Sequence, residues 1–242
     1  MQIKGFIKNT LIDWEGKIAS EIFTPGCNFR CPFCHSPQLV LEPDSGNNIP
    51  EQEVIAFHRA NREWIDGLVI TGGEPTLAPG LMEFLQRIKD EGIPVKIDSN
   101  GAQPNRLAEI IERELIQYVA MDVKAPAEKY ERLAGVPVDT DKINESIRLL
   151  IDGKIGYEFR TTITPTMDLP DDIVEIARWI QGAKLYYLQG FRGGNCLDPA
   201  HNNLPSIQPE TVRECARAAT EFVRDTRVRG EAPDNPPQKQ VP

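Results

Sequence analysis

The stretch 19-ASEIFTPGCNFRCPFCH-35 places a short β-prone run directly before three closely spaced cysteines. Cys27, Cys31 and Cys34 form a C-x3-C-x2-C pattern, and thiolates this close in sequence can all reach one soft metal centre. That centre is either an iron–sulfur cluster or zinc. A cubane cluster has four irons and this run supplies three sulfurs, so one iron would remain open to another ligand.

Zinc is the alternative for this loop, with His35 or Cys196 as the fourth ligand. A structural zinc site usually draws on two separated ligand pairs, whereas these three cysteines share one short loop. The pattern therefore favours an iron–sulfur cluster. A metal-binding scaffold without catalytic activity remains open as a further class of function.

Short β-prone runs alternate with helical apolar stripes along the rest of the chain. The candidate strands are Ala19–Thr24, Leu68–Thr71, Val95–Asp98, Tyr118–Asp122, Tyr157–Ile163 and Leu185–Gln189. Strand–helix units in series predict an α/β protein with a parallel sheet, curled or open, and helices outside it. Before them, residues 3–17 are expected to form an edge hairpin that turns near residues 13–16.

Polar residues collect where these candidate strands end, and in parallel sheets the chemistry gathers at that edge. The residues concerned are the cysteine loop, Gly72, Gly73, Glu74, Asp98, Ser99, Asn100, Asp122, Lys124, Arg160 and Gln189. A functional site is therefore expected along this edge, independently of any motif.

Composition narrows the function classes. The chain has 242 residues, of which 40% are hydrophobic and 26% charged, and its 27 basic and 36 acidic residues give a net charge of -9. This acidic balance argues against a nucleic-acid partner. No run approaches the about 20 apolar residues of a membrane span, and the first residues do not resemble a signal peptide. We therefore expect a cytoplasmic protein with no membrane partner.

The chain length suits one large domain or two small ones, and we place a single domain at residues 1–224. Residues 225–242 are rich in proline, glycine and charge, and are expected to form a flexible tail. Cys215 falls on the apolar stripe of the last helical segment and is expected to be buried in the core, whereas Cys196 lies in a glycine-rich loop near the mouth of the expected site. His58 and His201 have no partner pattern and are expected at the surface.

The cysteine run, with Phe33 before its last cysteine and Gly72-Gly73-Glu74-Pro75 after the second strand, resembles the radical S-adenosylmethionine (SAM) superfamily. Within it, the chain is most similar to the activating proteins of anaerobic ribonucleoside-triphosphate reductases. The stretches that carry this similarity are residues 11–14, 27–39, 122–126, 160–162 and 188–191. The resemblance implies a partial (β/α)6 barrel, open on one side.

The resemblance also implies the cofactors and their chemistry. Cys27, Cys31 and Cys34 would ligate one [4Fe–4S] cluster, whose open iron would bind the amino and carboxylate groups of SAM. One electron from the reduced cluster would split SAM into methionine and a 5′-deoxyadenosyl radical. This chemistry belongs to the cofactor, and the protein orients and shields it. Lys124 joins the cysteines among the expected catalytic residues.

Cofactor-binding roles are expected in part from the same resemblance and in part from the residue types at the strand ends. They fall on Phe33, Gly72, Gly73, Glu74, Asp98, Ser99, Asn100, Asp122, Arg160 and Gln189. The glycine pair and Glu74 would meet the SAM amino group, and Asp98 and Asp122 would lie close to SAM and to a monovalent cation. Simpler interpretations remain open: a strand-to-helix turn for the glycines, packing for Phe33, a rim ion pair for Asp122 with Lys124, and a neighbouring acid as the partner of Arg160.

The expected reaction is the removal of a hydrogen atom from a glycine of a partner enzyme, which leaves a stored glycyl radical. The resemblance favours anaerobic ribonucleotide reductase as that partner, and a flavodoxin or ferredoxin as the low-potential electron donor. Activity on a small molecule or on another peptide is the alternative. Some activating enzymes have a histidine where this chain has Leu188, so contacts to adenine or ribose there would come from Gln189 or from the backbone.

Overall fold

The computed structural model describes residues 1–229, which fold around one eight-stranded sheet. The strands are β1 (Gly5–Thr10), β2 (Ala19–Thr24), β3 (Gly67–Gly72), β4 (Val95–Ser99), β5 (Tyr118–Asp122), β6 (Gly156–Ile163), β7 (Tyr186–Gly190) and β8 (Thr226–Val228). Neighbours follow chain order, with β1 antiparallel to β2 and every later pair parallel. Because β1 and β8 are the two edges, the sheet forms a partial barrel that is open on one side.

Helices link the parallel strands, which confirms the predicted alternation. They are α1 (Pro37–Leu41), α2 (Glu51–Ala60), α3 (Leu81–Asp90), α4 (Pro104–Glu112), α5 (Tyr130–Ala134), α6 (Thr140–Asp152), α7 (Asp171–Trp179) and α8 (Pro209–Ala219). Their apolar stripes are buried; in α3, for example, Leu81, Phe84, Leu85 and Ile88 face the core. Among residues 1–229, no helix combines the length and the apolar character that crossing a membrane requires.

The six predicted parallel strands are all present, and their ends differ from the predicted bounds by at most one residue. The edge hairpin is also confirmed, although β2 itself supplies its second arm: β1 pairs with β2 from Gly5 opposite Phe23 to Thr10 opposite Ala19. Residues 11–18 connect the two strands and include the predicted turn.

Trp14, in this connection, plugs one end of the barrel. Its side chain is only 5% exposed and packs against Ala19 and Val69, with its ring 6.0 Å from that of Tyr118. A Cβ atom at Gly67 would lie 2.8 Å from the Trp14 ring, so the absence of a side chain at Gly67 makes room for the indole. The connection is therefore part of the barrel and not a free surface loop.

A buried ion pair lies beside this plug. Lys96 Nζ donates to Glu158 Oε1 at 3.0 Å and to the backbone oxygen of Asp13 at 2.6 Å, and Lys96 is 1% exposed. Tyr118 Oη donates to the second oxygen of Glu158 at 3.3 Å. Burying two charges is tolerated only when they are paired and their remaining hydrogen-bonding groups are satisfied, as they are here.

The prediction that residues 225–242 form a flexible tail is wrong for the first part of that range. Thr226–Val228 forms β8 and pairs in parallel with β7. Arg227 Nη1 lies 2.8 Å from Glu15 Oε1, and Arg229 Nη2 donates to the Ile12 oxygen at 2.8 Å, so the last strand is fixed to the β1–β2 connection. The remainder of the expected tail, residues 230–242, lies outside the described residues.

Replacing Trp14 by Ala is expected to lower the free energy of unfolding by about 3–5 kcal/mol, because it empties the end of the barrel. The matched control is Trp64→Ala, since Trp64 is 71% exposed; its effect should stay within about 0.5 kcal/mol. Urea unfolding followed by circular dichroism measures both. Equal effects of the two substitutions would contradict the role of Trp14 as a plug.

Candidate cluster and cofactor site

One cavity of about 930 Å³ runs along the carboxyl ends of the parallel strands and into the barrel. Every site residue predicted from the sequence lines it: Cys27, Cys31, Phe33, Cys34, Gly72, Gly73, Glu74, Asp98, Ser99, Asn100, Asp122, Lys124, Arg160 and Gln189. The structure thus brings all of them to one place, as expected from parallel strands whose carboxyl ends share an edge.

The cysteine loop between β2 and α1 is held by α1, by α5 and by one of its own side chains. Gly26 N donates to the Leu39 oxygen and Arg30 N to the Ala134 oxygen, each at 2.8 Å. The Arg30 guanidinium folds back to the carbonyl oxygens of Cys27 and Phe29, at 2.7 and 2.8 Å. The loop conformation is therefore set by several contacts to backbone groups.

The three thiols suit a cluster. The Phe29 N–H donates to Cys27 Sγ at 3.3 Å and the Ser36 N–H to Cys34 Sγ at 3.4 Å, as donors to ligating sulfurs would. Burial raises the pKa of Cys31 to about 12 and also raises that of Cys27. A bound metal would compensate the charge of these buried thiolates, and the backbone N–H donors to Cys27 and Cys34 suit sulfur ligands of a cluster.

The zinc alternative concerns the same three thiols together with His35 or Cys196. Within the described part of the chain, no three His, Cys, Asp or Glu side chains are grouped around a position for a single metal ion. Thiolates that bind three different irons need not meet at one point. His35, a proposed fourth zinc ligand, has its Nε2 atom 2.8 Å from the Arg192 oxygen.

Gly72 and Gly73 allow the cysteine loop to lie against the end of β3. A Cβ atom at Gly73 would lie 1.9 Å from the Gly26 oxygen, and one at Gly72 would lie 2.5 Å from Thr24 backbone atoms. Gly72 also has a φ of 114°, a conformation that favours glycine. The close approach seen here is to the cluster loop, and the expected contact with the SAM amino group stays a prediction.

Glu74 lies behind the site and fixes the end of β4. It is 1% exposed and accepts hydrogen bonds from Ser99 Oγ at 3.0 Å and the Asn100 N–H at 2.7 Å, as well as from the backbone and hydroxyl of Thr76. Asn100 in turn donates from Nδ2 to Asn28 Oδ1 at 2.8 Å. The predicted set Glu74, Ser99 and Asn100 therefore forms one network that reaches the cysteine loop.

A chain of charges crosses the cavity from β4 to β6. Lys124 Nζ and Arg160 Nε each lie 2.8 Å from an oxygen of Asp122, and Arg160 Nη1 lies 3.0 Å from Asp98 Oδ2. Although burial opposes its ionisation, Arg160 and Lys124 hold the pKa of Asp122 well below its usual range. The structure thus contains the contacts that the simpler interpretations predicted. Asp122 forms an ion pair with Lys124, and Arg160 has neighbouring acids as its partners.

Asp98 keeps one atom free for a ligand. Its Oδ2 accepts from Arg160 and from Thr71 Oγ1 (3.2 Å), while Oδ1 is buried and has no hydrogen-bond partner among residues 1–229. A buried acceptor without a partner is costly, and a bound hydroxyl, amine or cation at the cavity wall would satisfy it. This atom fits the expectation that Asp98 lies close to SAM or a cation, which remains a prediction.

At β7 this chain has Leu188 at the position where some activating enzymes have a histidine. Leu188 is fully buried among apolar residues, while the cavity is lined by Tyr187 and Gln189 on either side of it in sequence. Gln189 Nε2 donates to Thr162 Oγ1 at 2.8 Å. Phe33 is 7% exposed and packs within the core beside the cavity, and its expected contact with adenine stays a prediction.

Sequence reasoning missed the charged groups deeper in the barrel. Burial, and then the Asp13 and Asp98 carboxylates, raise the pKa of Glu21 to about 8. Lys96 and Glu158 line the same cavity as the predicted residues. A signal was present, because Lys96 with Asp98, and Glu158 with Arg160, stand two positions apart in otherwise apolar strands and so share a face.

Cys196, Cys215 and His58 are all buried in the described structure. Cys215 is 1% exposed in the core, as predicted. Cys196 is also buried, and the residues after it pair with the cysteine loop, since Leu197 N donates to the Cys34 oxygen at 2.9 Å. His58 was wrongly expected at the surface: it is buried, with Nε2 2.7 Å from Ser20 Oγ, and burial lowers its pKa to about 4.

Comparison with known proteins agrees with this geometry. Residues 22–180 match the family model of the Radical SAM superfamily, which is more than half of the chain. The chain belongs to the radical SAM superfamily. Its cofactors are accordingly one [4Fe–4S] cluster and SAM, as the cysteine loop indicated.

Among related radical SAM proteins, one from Methanocaldococcus jannaschii, provisionally assigned as a glycyl-radical enzyme activating enzyme, is 32% identical over 232 residues. These cover 94% of this chain and 95% of that protein. The pyruvate formate-lyase-activating enzyme of Listeria monocytogenes is 30% identical over 176 residues, or 66% of this chain and 68% of that enzyme. The predicted resemblance to glycyl-radical activating enzymes is thereby confirmed.

A solved structure shares the fold. Streptococcus suis SuiB bound to S-adenosylmethionine matches with a TM-score of 0.61 and 14% identity, over 86% of this chain and 51% of that chain. At this identity the likeness concerns the fold alone. It confirms the predicted partial barrel of a radical SAM enzyme.

Replacing Cys27 by Ala is expected to reduce the iron and sulfide bound after anaerobic reconstitution to background, because the cluster loses one of three ligands. Cys215→Ala is the matched control: it also removes a buried thiol, but one in the core of the last helix, and should leave the iron content unchanged. Iron and sulfide assays on purified protein decide the point. Equal iron content in the two variants would contradict the ligand assignment.

Replacing Gly73 by Ala is expected to lower cluster content severalfold. The new methyl group would lie 1.9 Å from the Gly26 carbonyl oxygen and would push the cysteine loop away from β3. Gly92→Ala is the control, since Gly92 has a φ of 70° and open space around it. It should cost about 1–2 kcal/mol in stability from backbone strain and keep the cluster. Wild-type iron content in Gly73→Ala would contradict the packing argument.

Proposed function

We propose that this radical SAM enzyme generates a glycyl radical on a partner enzyme, with anaerobic ribonucleoside-triphosphate reductase as the preferred partner. The observation that carries the proposal is the match over 94% of this chain to the M. jannaschii protein assigned to that class, 95% of which is covered. The choice of reductase is supported by the local similarity of residues 11–14, 122–126, 160–162 and 188–191.

The shape of the site supports a substrate brought by another protein. The cavity is lined not only by the cysteine loop but also by Leu11 and Ile12 of the β1–β2 connection and by Val228 and Arg229 at the end of β8. Leu11 and Ile12 are 72% and 77% exposed. A flexible loop carrying the target glycine would enter between these residues and the cluster, and exposed apolar side chains at the entrance suit such contacts.

The chain's own residues bind and orient the reactants. Cys27, Cys31 and Cys34 hold the cluster, which when bound and reduced supplies the electron that splits SAM into methionine and a 5′-deoxyadenosyl radical. The hydrogen atom that this chemistry requires would come from the Cα of the partner's glycine, so that 5′-deoxyadenosine and the glycyl radical would be the products. A low-potential flavodoxin or ferredoxin would supply the electron.

The charges at the cavity wall support SAM binding in this proposal. The Asp98 Oδ1 atom without a partner and the polar ends of β5 and β6 face the same cavity as the thiols. We assign to Asp98 and Asp122 contacts with SAM and a monovalent cation, to Arg160 and Lys124 the balancing of these carboxylates, and to Gln189 a contact with adenosine. A radical SAM activity on a small molecule or another peptide would use the same cluster residues and is the alternative.

The test is to incubate the reconstituted, reduced enzyme with SAM and anaerobic ribonucleotide reductase, and to record the electron paramagnetic resonance spectrum. The proposal expects the doublet of a glycyl radical, together with one 5′-deoxyadenosine per radical formed. Pyruvate formate-lyase in a parallel sample tests the choice of partner. The Cys31→Ala enzyme, which lacks a cluster ligand, is the negative control.

Each outcome of this experiment has a defined meaning. A doublet with the lyase alone would keep the activating function and overturn the reductase as partner. Cleavage of SAM without a doublet on either enzyme would overturn the proposed function and favour the small-molecule or peptide alternative.

A further inference from the structure

The side-chain amide of Asn100 is aimed at the cluster loop. Asn100 follows β4 and is 6% exposed. Its Nδ2 atom donates to Asn28 Oδ1 at 2.8 Å and lies 3.9 Å from Cys27 Sγ, within reach of a hydrogen bond to sulfur. An amide nitrogen has two hydrogens, so it can serve both acceptors at once.

The orientation of this amide is fixed from its other side. Asn100 Oδ1 accepts a hydrogen bond from the Ala102 N–H at 3.0 Å, which an NH2 group in that position could not do. The oxygen therefore faces Ala102 and the nitrogen faces the cysteine loop. A flipped amide would place two donors together at Ala102 and two acceptors together at the loop.

The backbone of Asn100 is equally constrained. Its N–H donates to Glu74 Oε2 at 2.7 Å, and Glu74 is fully enclosed by its contacts with Ser99 and Thr76. These contacts hold the Asn100 amide in the orientation that presents its N–H groups to Cys27. Such preorganised second-layer contacts are the means by which proteins adjust metal centres.

We propose that Asn100 raises the reduction potential of the cluster by donating a hydrogen bond to the Cys27 sulfur. A donor stabilises the sulfur more strongly as it gains negative charge, and the reduced cluster carries one more negative charge than the oxidised cluster. Asn100 is then a residue that positions Cys27 and sets the potential, in addition to linking β4 to the loop. The inference depends on the cluster and not on the proposed partner.

The test is a redox titration of the reconstituted cluster in wild-type protein and in Asn100→Leu, without SAM or partner. Leucine has a similar size and removes both donors without adding charge. With the solution poised at the wild-type midpoint, the ratio of reduced to oxidised cluster should fall severalfold in the variant. A tenfold fall corresponds to a shift of about 59 mV to lower potential for one electron.

Asn144→Leu is the matched control. Asn144 accepts a hydrogen bond from Trp179 Nε1 on the outer helices, so its loss disturbs a part-buried contact away from the cluster. It should leave the midpoint unchanged. A purely structural role of Asn100 would reduce the amount of cluster bound but would leave the midpoint of the remaining cluster at the wild-type value, and that result would overturn the proposal.

A measurement on the unaltered sequence covers the case in which Asn100→Leu binds no cluster. Wild-type protein with ¹⁵N in its asparagine side-chain amides is reduced, and pulsed electron paramagnetic resonance records the nuclei coupled to the cluster. Coupling to an amide ¹⁵N is expected. Its absence would overturn the proposal, and either result is independent of whether a glycyl radical is formed on any partner.

Discussion

The site depends on one close approach, that of the cysteine loop to the backbone at the end of β3. Gly73 lies so near the loop that a Cβ atom there would meet the Gly26 carbonyl oxygen at 1.9 Å. The Glu74 N–H donates to that same oxygen at 2.7 Å. Because the Glu74 side chain is tied to the end of β4, this contact places the loop relative to two neighbouring strands. The three thiols therefore occupy a fixed position at the edge where the other polar groups lie.

The interior of the barrel obeys a second constraint, since charges removed from water must be paired. Lys96 with Glu158, and Arg160 with Asp98 and Asp122, meet this condition across neighbouring strands. The charged side chains of the cavity wall are thus fixed by one another. The Asp98 oxygen that lacks a partner is an exception within residues 1–229, and it faces the space where the cofactor is expected.

Much of this arrangement could be predicted from local pattern. The β-prone, apolar runs predicted the strands, and the 3.6-residue period predicted the helices. Because sites in parallel sheets lie at the carboxyl ends of the strands, the site residues could then be predicted along one edge. The β1–β2 connection and β8 were not understood from the sequence. Arg229 meets Ile12 and Trp14 fills the end of the barrel through contacts between residues far apart in the chain, which no local period records.

The sequence by itself indicated the three cysteines as cluster ligands and predicted the alternating strands and helices, because cysteine spacing and apolar periodicity are local properties. Tertiary structure alone decided which polar residues face the cavity and which hold one another. Glu74 is held by Ser99 and by the Asn100 N–H, and Arg160 is held by two carboxylates from other strands. The physical reason is that hydrogen bonds and ion pairs act over about 3 Å, and only the folded sheet sets which atoms come that close.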